Sequence, residues 1–434
     1  MKRVALEPTF DNLLSTLDSN KVNKQKDILD FILLLKDIEG SFNIALDGGW
    51  GIGKTFFIKQ TKLLMDYFSG QYKEDYDELE QEQIHSVIGS LEIYNSVKTA
   101  DWRTVYFDAW EHDNNIDPIA SLAYELALAG NGIDTEGFSV AGAINSLLRC
   151  KENLDLTGII TREELIEDVK KEKNIKRSIE KKIDDIIGEV SERIIVFVDE
   201  LDRCNPNFAI RLLERIKHYF NHEKIIFVFA LNAEQLQYTI KAYYGEGFQA
   251  IGYLDKLFDL WLPMPEIKYD NYLEDIKVEI DGKTGIIARE VMRHLQLSFR
   301  EMEKYMQSVK NIYEKIEKNT KRKNPTDEYV YRDICLFLLG LKIKDITLYH
   351  KVMEGKSPES IIDFFFSDRM KEVRVELFEY QNDSDLEEGI KHLYDLVFNN
   401  NLLELDKLSY EWVGIHRARL NNAKNKLDEC LRYF

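Results

Sequence analysis

The sequence predicts an α/β fold: a five-stranded, mostly parallel sheet covered by helices on both sides, followed by an all-helical C-terminal region. Three observations predict it. Five short apolar runs are spaced along the first 265 residues. Longer segments with helical spacing separate them, which is the alternation of a parallel sheet with crossover helices. Beyond about Pro265 the strand signals fade and helical patterns take over.

The five runs are Phe42–Leu46, Thr104–Phe107, Ile194–Val198, Ile225–Ala230 and Phe258–Leu262. The third and fourth are continuously apolar, as strands covered on both faces require. Between the second and third runs, Ile116–Glu192 reads as a helical insertion, about 114–190. It opens with a helix over Pro118–Ala129 and closes with a charged helix over Arg162–Ile187, whose acidic and basic residues alternate at helical spacing. Residues 286–434 read as consecutive helices, with aromatic-rich stretches at Ile334–Leu341 and Ile361–Phe366. The expected division is therefore 1–265 and 266–434, in keeping with a prior of about 150 residues per domain that allows two or three.

Hydrophobic residues make up 44% of the chain, enough for real cores, and the net charge is −19. That acidity argues against nucleic acid as a partner, because the overall field repels phosphate. A local basic patch is the exception, and the best candidate for one is Lys318–Lys323; its plainer reading is a solvated loop between helices. No window approaches the ~18 apolar residues of a membrane span, and the N-terminal stretch lacks the apolar core of a secretion signal. Cys150, Cys204, Cys335 and Cys430 lie far apart and form no CxxC pair. These features describe a soluble, reduced, cytoplasmic chain with no membrane partner.

The first apolar run leads into Gly48-Gly49-Trp50-Gly51-Ile52-Gly53-Lys54-Thr55, which fits G-x-x-x-x-G-K-[ST]. Glycines let the backbone wrap a phosphate with its N–H groups turned inward. The helix that follows presents its positive end to the anion. Gly48 to Phe56 are therefore the expected nucleotide-binding segment. Lys54 supplies a point charge to the β- and γ-phosphates, and the Thr55 hydroxyl is a ligand for Mg²⁺. The third run ends in Asp199-Glu200, two carboxylates at the C-terminal edge of a buried strand, where open parallel sheets bind ligands. Asp199 is the expected second metal residue. Glu200 is the expected general base that polarises the attacking water, and its presence favours hydrolysis over mere binding. Asn232, at the end of the fourth run, is a candidate sensor of the γ-phosphate; its alternative role is to cap the next helix. With the P-loop strand central, the expected strand order is 5-1-4-3-2.

Four stretches together resemble the KAP family of P-loop NTPases: GGWGIGKT with a Trp inside the P-loop, VYFDAWEHD at 105–113, VDELDRCNP at 198–206 and YLDKLFDLWLPMP at 253–265. The resemblance covers most of residues 25–265. It implies a Mg²⁺-dependent ATPase of the additional-strand class, with Asp202 and Arg203 as extra polar elements near the nucleotide or a subunit contact. Asn232 departs from the Asp usual in the family. Family members often insert membrane helices between the two Walker motifs; here Ala141–Leu148 is too short to span. Leu297–Glu303 resembles the segment that opens the family's helical lid. Ser298 and Glu301 form a capping box there, and Arg300 in the first turn is a candidate second sensor; its alternative is a surface Arg. Bacterial members often accompany phage defence, so the resemblance implies an oligomeric sensor or regulatory ATPase with its effector on a separate chain. The contrasting reading is a nucleotide-dependent scaffold or switch with negligible turnover. Arg203 is also a candidate arginine finger acting on a neighbouring copy, the alternative being a pair with Asp202 or Glu200 in its own chain.

Other residues carry less. His218 and His222 lie four apart on what reads as one helix, without a third metal ligand. Cys204 reads as a small packed residue. Phe107 and Trp110 read as packing at a strand end, and Asp108, Glu111 and His112 follow them toward the expected site.

Overall fold

The computed structural model describes residues 7–20, 24–91, 97, 102–114, 118, 121–122, 125–126, 193–266, 282–320, 329–371, 383–399 and 423–432. The charged helix expected over Arg162–Ile187, Ala141–Leu148, Cys150 and most of the insertion lie outside the described residues. The chain divides into two compact units, Glu7–Glu266 and Ile267–Phe434.

The first unit begins with helices α1 (Phe10–Asp18) and α2 (Gln25–Asp37), then strand β1 (Phe42–Asp47). Helices α3 (Lys54–Ser69), α4 (Tyr72–Asp75) and α5 (Glu78–Ile88) follow, then β2 (Trp102–Asp108) and β3 (Arg193–Asp199). A single 3₁₀ turn, Leu201–Arg203, leads to α6 (Pro206–Tyr219), β4 (Ile225–Leu231), α7 (Ala233–Tyr244), α8 (Ala250–Leu257) and β5 (Leu260–Pro263). All four strand pairings are parallel, and the order is β2-β3-β4-β1-β5, which reads 5-1-4-3-2 from the opposite edge. The last strand starts two residues later than its apolar run. Phe258 closes α8 instead, its N–H donating to Leu254 O at 3.0 Å, while its ring packs edge-on to Phe229.

Alternate residues of each strand belong to two different cores, as the period-2 geometry of a strand dictates. Ala45, Val196, Phe227 and Phe229 join one core with Phe208, Leu212 and Ile216 of α6, Leu236 of α7 and Leu254 of α8. Ile44, Leu46, Ile195 and Val228 join the other with α1, α2, α3 and α5. The result is three layers, helices–sheet–helices. The described residues of Pro118–Ala129 are helical, and Leu122 and Leu126 pack into the first of these cores. On the other face Asp66 of α3 is fully buried; it accepts from Lys62 Nζ at 2.6 Å and from the Thr104 hydroxyl of β2. This fastens the P-loop helix to the neighbouring strand.

Local signals set the helix ends. Asn205 caps α6 by accepting from Phe208 N at 2.9 Å, with Pro206 in the first turn where its missing N–H costs nothing. Helix α6 ends at Tyr219, so His222 lies in the loop beyond it and not on one helix with His218. The correction follows from Phe220, which is buried as the closing residue of that helix.

Every described element of the second unit is a helix. The longest, α9 to α10 in chain order (Gly282–His294 and Phe299–Thr320), are joined by a short turn. Ser298 and Glu301 make the expected capping box: Glu301 accepts from Ser298 N at 2.7 Å, and Ser298 Oγ accepts from Glu301 N at 3.4 Å. Tyr305, Phe337, Phe364 and Tyr394 anchor this unit's own core. Lys318–Thr320 close α10, and the rest of the basic run lies outside the described residues.

Candidate nucleotide site

The root of the P-loop is pinned to the sheet. Gly48 N–H donates to Leu231 O of β4 at 3.0 Å, and Met264 N–H donates to Asp47 O at 2.7 Å. The Asp47 carboxylate accepts from Ala233 N at the start of α7, at 2.8 Å. Beyond this root, Gly51 and Gly53 hold φ of 80° and 93°, a region that strains any side chain. Gly53 brings the chain straight into α3, whose first residue is Lys54.

Lys54 is buried, and its Nζ donates to Gly48 O at 2.6 Å and Gly49 O at 3.1 Å. Burial lowers its pKa, opposed by the charges of Asp202, Asp199, Glu200 and Asp47 in that order. An ammonium folded under its own loop, on carbonyl acceptors that an anion can replace, has the chemistry that phosphate binding calls for.

From the other side comes the end of β3. Asp199 is 1% exposed and sits in register with Asp108 of β2. Burial pushes its pKa up; the Thr55 hydroxyl, the Glu200 N–H and the Tyr106 hydroxyl, all donors to its carboxylate, pull it back. Thr55 and Asp199 thus meet as an all-oxygen pair, the donor chemistry a hard dication takes. The expected metal residues are therefore adjacent and fit Mg²⁺.

Glu200 follows with φ 60° and ψ 20°, a left-handed conformation in a residue other than glycine. Such geometry costs of order 1–3 kcal/mol and clusters at functional sites. Burial first, then the Asp199 charge, push the Glu200 carboxyl up to about 7, while Arg203 pulls it down. Residues 26–272, which hold the loop, the buried lysine and the two carboxylates at the edge of β3, match the KAP family P-loop domain. The chain belongs to the KAP family. No curated protein matches it. Membership in this family of P-loop NTPases suggests binding and hydrolysis of a nucleoside triphosphate. Among the described residues no helix is long and apolar enough to cross a membrane.

Within this KAP domain the remaining candidate residues take defined places. Asn232 adopts the capping alternative: its Oδ1 accepts from Gln235 N at 3.2 Å at the start of α7. Its carbonyl oxygen is committed to the helix, and only the amide Nδ2 is left for a sensor's donation. Arg203 pairs with the Glu200 carboxylate of its own chain, through Nε, and its guanidinium lies 5.6 Å from the Trp110 ring. The pair within the chain is the arrangement seen in the single chain. Arg300 is an exposed residue in the first turn of α10, within the second unit.

One packing expectation is corrected. Phe107 is fully buried, with His112 stacked on it at 4.8 Å, but Trp110 is 55% exposed. The reason is the turn at Asp108, whose carboxylate accepts from Trp110 N and Glu111 N and turns the indole away from the core. Burial raises the Cys204 thiol far above its ordinary range, consistent with a packed, unreactive residue.

Three contacts at the site are not legible in the sequence. Asp47 anchors the loop, Tyr106 orients Asp199, and the Trp50 indole donates to Asp202 Oδ2 at 2.6 Å. Tyr106 and Trp50 are aromatic residues in or beside an apolar strand, where packing explains them equally well. Their polar ends matter only once strands remote in sequence lie side by side.

Proposed function

We propose that this KAP protein hydrolyses ATP with Mg²⁺, using the P-loop and the Asp199-Glu200 pair as its site. The observation that carries the reading is the convergence of Lys54, Thr55, Asp199 and Glu200 from two elements on one loop. The backbone N–H groups of Gly48–Gly53 and the start of α3 would cradle the phosphates. Lys54 would exchange its bonds to Gly48 O and Gly49 O for bonds to phosphate oxygens. Thr55 and Asp199 would hold Mg²⁺, which neutralises charge on the β- and γ-phosphates when bound. Glu200 would take the proton from the attacking water, and a base with a pKa near the working pH is well matched to that task. Asn425-Lys426-Leu427-Asp428 is an N-K-x-D segment, but it lies on a helix of the second unit and not at a strand end of this domain, so the reading keeps adenine over guanine.

Phosphate release measured on the full chain tests the proposal. Wild type should turn over ATP. Glu200→Gln should bind ATP and stop turnover, and Lys54→Ala should lose binding. Unaltered turnover in Glu200→Gln would remove the base from this role.

A second reading is favoured by one contact. Arg203 occupies the Glu200 carboxylate, so the free chain would be a switch with negligible turnover until that pair opens. Mass measurement with and without ATP, beside the turnover assay, separates the two. Assembly into an oligomer, a separate effector, a lid role for the helical unit with Arg300 as second sensor, and a place in anti-phage defence belong to this proposal on the strength of the family resemblance.

A further inference from the structure

Two tryptophans that stand out on the surface are both fixed to the turn that follows Glu200. Trp50 lies inside the P-loop, with about half of its surface exposed, yet its Nε1–H donates to Asp202 Oδ2 at 2.6 Å. That distance is short for a nitrogen donor, as expected for a carboxylate acceptor. Asp202 itself is buried, in the 3₁₀ turn Leu201–Arg203. The next residue, Arg203, carries the other two contacts, to the Glu200 carboxylate and to the ring of Trp110. A path therefore runs from the Trp50 indole to Asp202, along the backbone to Arg203 and on to Glu200, with the Trp110 ring 5.6 Å from the Arg203 guanidinium.

The root of the P-loop cannot be the moving part, because Gly48 and Asp47 are bonded to β4, α7 and the segment after β5. Residues 49–53 can move, and Gly51 and Gly53 already use conformations open to glycine. A phosphate that draws these backbone N–H groups together must carry Trp50 with them. Trp50 is joined to the carboxylate turn by one charge-assisted bond, so loop closure pulls on Asp202.

We propose that Trp50 and Asp202 are positioning residues that transmit phosphate occupancy of the P-loop to the Arg203–Glu200 pair, so that Glu200 is set free for the water only when the loop is filled. The inference rests on the nucleotide-site reading above. The phosphate is held by the loop backbone and Lys54; the indole supplies the link, not the affinity.

The test uses the full chain labelled with 5-fluorotryptophan. The five tryptophans give separate fluorine resonances, and Trp110→Phe assigns the one at the end of the relay. A non-hydrolysable ATP analogue with Mg²⁺ should shift the Trp110 resonance in wild type. In Trp50→Phe, which keeps a ring but loses the donor, the analogue should bind within about threefold of wild type while the Trp110 resonance stays in place. Turnover in Trp50→Phe should fall about tenfold or more, the scale of one lost hydrogen bond to a charge. Asp202→Ala should fall by the same factor, and the double variant no further. A Trp110 resonance that still shifts in Trp50→Phe, one that never shifts in wild type despite binding, or additive losses in the double variant would overturn the relay. Failure of wild type to bind the analogue would instead remove the nucleotide-site reading beneath it.

Discussion

Glu200→Gln should change stability in a way that depends on pH, before any nucleotide is added. The Glu200 carboxyl is raised from its ordinary 4.5 to about 7, chiefly by burial and then by Asp199. The folded chain therefore holds this proton more tightly than the unfolded chain does. That contribution is fully present below about pH 4.5 and is lost as pH rises to about 7. Above that range the ionised carboxylate costs about 3 kcal/mol. The side chain is only 17% exposed, so solvent screens little of it. Gln at the same position carries the same backbone strain and has no proton to lose. Its stability relative to wild type should rise by about 2 kcal/mol between about pH 5.5 and about pH 8.5. In a unit of this size that is roughly 4–8 °C in Tm. Thermal unfolding of the nucleotide-free chain at the two pH values reads it. A difference between the proteins that stays constant with pH would refute the argument, and one that shrinks would reverse its sign.

Arg203→Ala removes the charge that pulls Glu200 down, so the acidic limb of the kcat profile should move above pH 7, read from phosphate release across pH. Lys54→Ala should abolish triphosphate binding in calorimetric titration, since the phosphates lose their one buried cation in the loop. Asp66→Ala leaves Lys62 of α3 without its closest carboxylate and Thr104 without its acceptor, and should lower stability by about 3 kcal/mol in urea unfolding. Gly53→Ala forces a side chain into φ 93° and should cost of order 1–3 kcal/mol together with nucleotide affinity.

The parts legible in the sequence are those that one short segment encodes alone. A buried strand announces itself by five apolar residues in a row, and the P-loop by glycine, lysine and threonine at fixed spacing. The capping box at Ser298 and Glu301 needs only three residues of chain. What stayed hidden depends on residues far apart. Trp50 and Asp202 are separated by 152 positions, and no periodicity links an indole in one loop to a carboxylate in another. Trp110 read as packing because its neighbour Phe107 is core; the turn made by Asp108 reverses the direction of the chain between them. The strand assigned to Phe258–Leu262 began too early because an aromatic that closes a helix and an aromatic that opens a strand are equally apolar. The contact of Arg203 with Glu200 depends on how the turn after β3 is wound, which no spacing rule in the sequence specifies.

The burial of the central strands has a consequence for amide hydrogen exchange. Strand β4 is buried along its whole length and lies between β1 and β3, while β1 lies between β4 and β5. Their amides can reach solvent only when the whole unit opens. Strand β5 has four residues, none of them buried, and can fray alone. A ligand that binds only the folded form adds RT ln(1 + [L]/Kd), about 2.7 kcal/mol at a hundredfold excess over Kd, to every opening that destroys its site. The amides of β1 and β4 should therefore slow by about a hundredfold at that concentration, whereas those at the outer edge of β5 should keep their rate. Strands β1 and β4 act as a built-in gauge of occupancy, readable strand by strand in a chain that need never turn over its nucleotide.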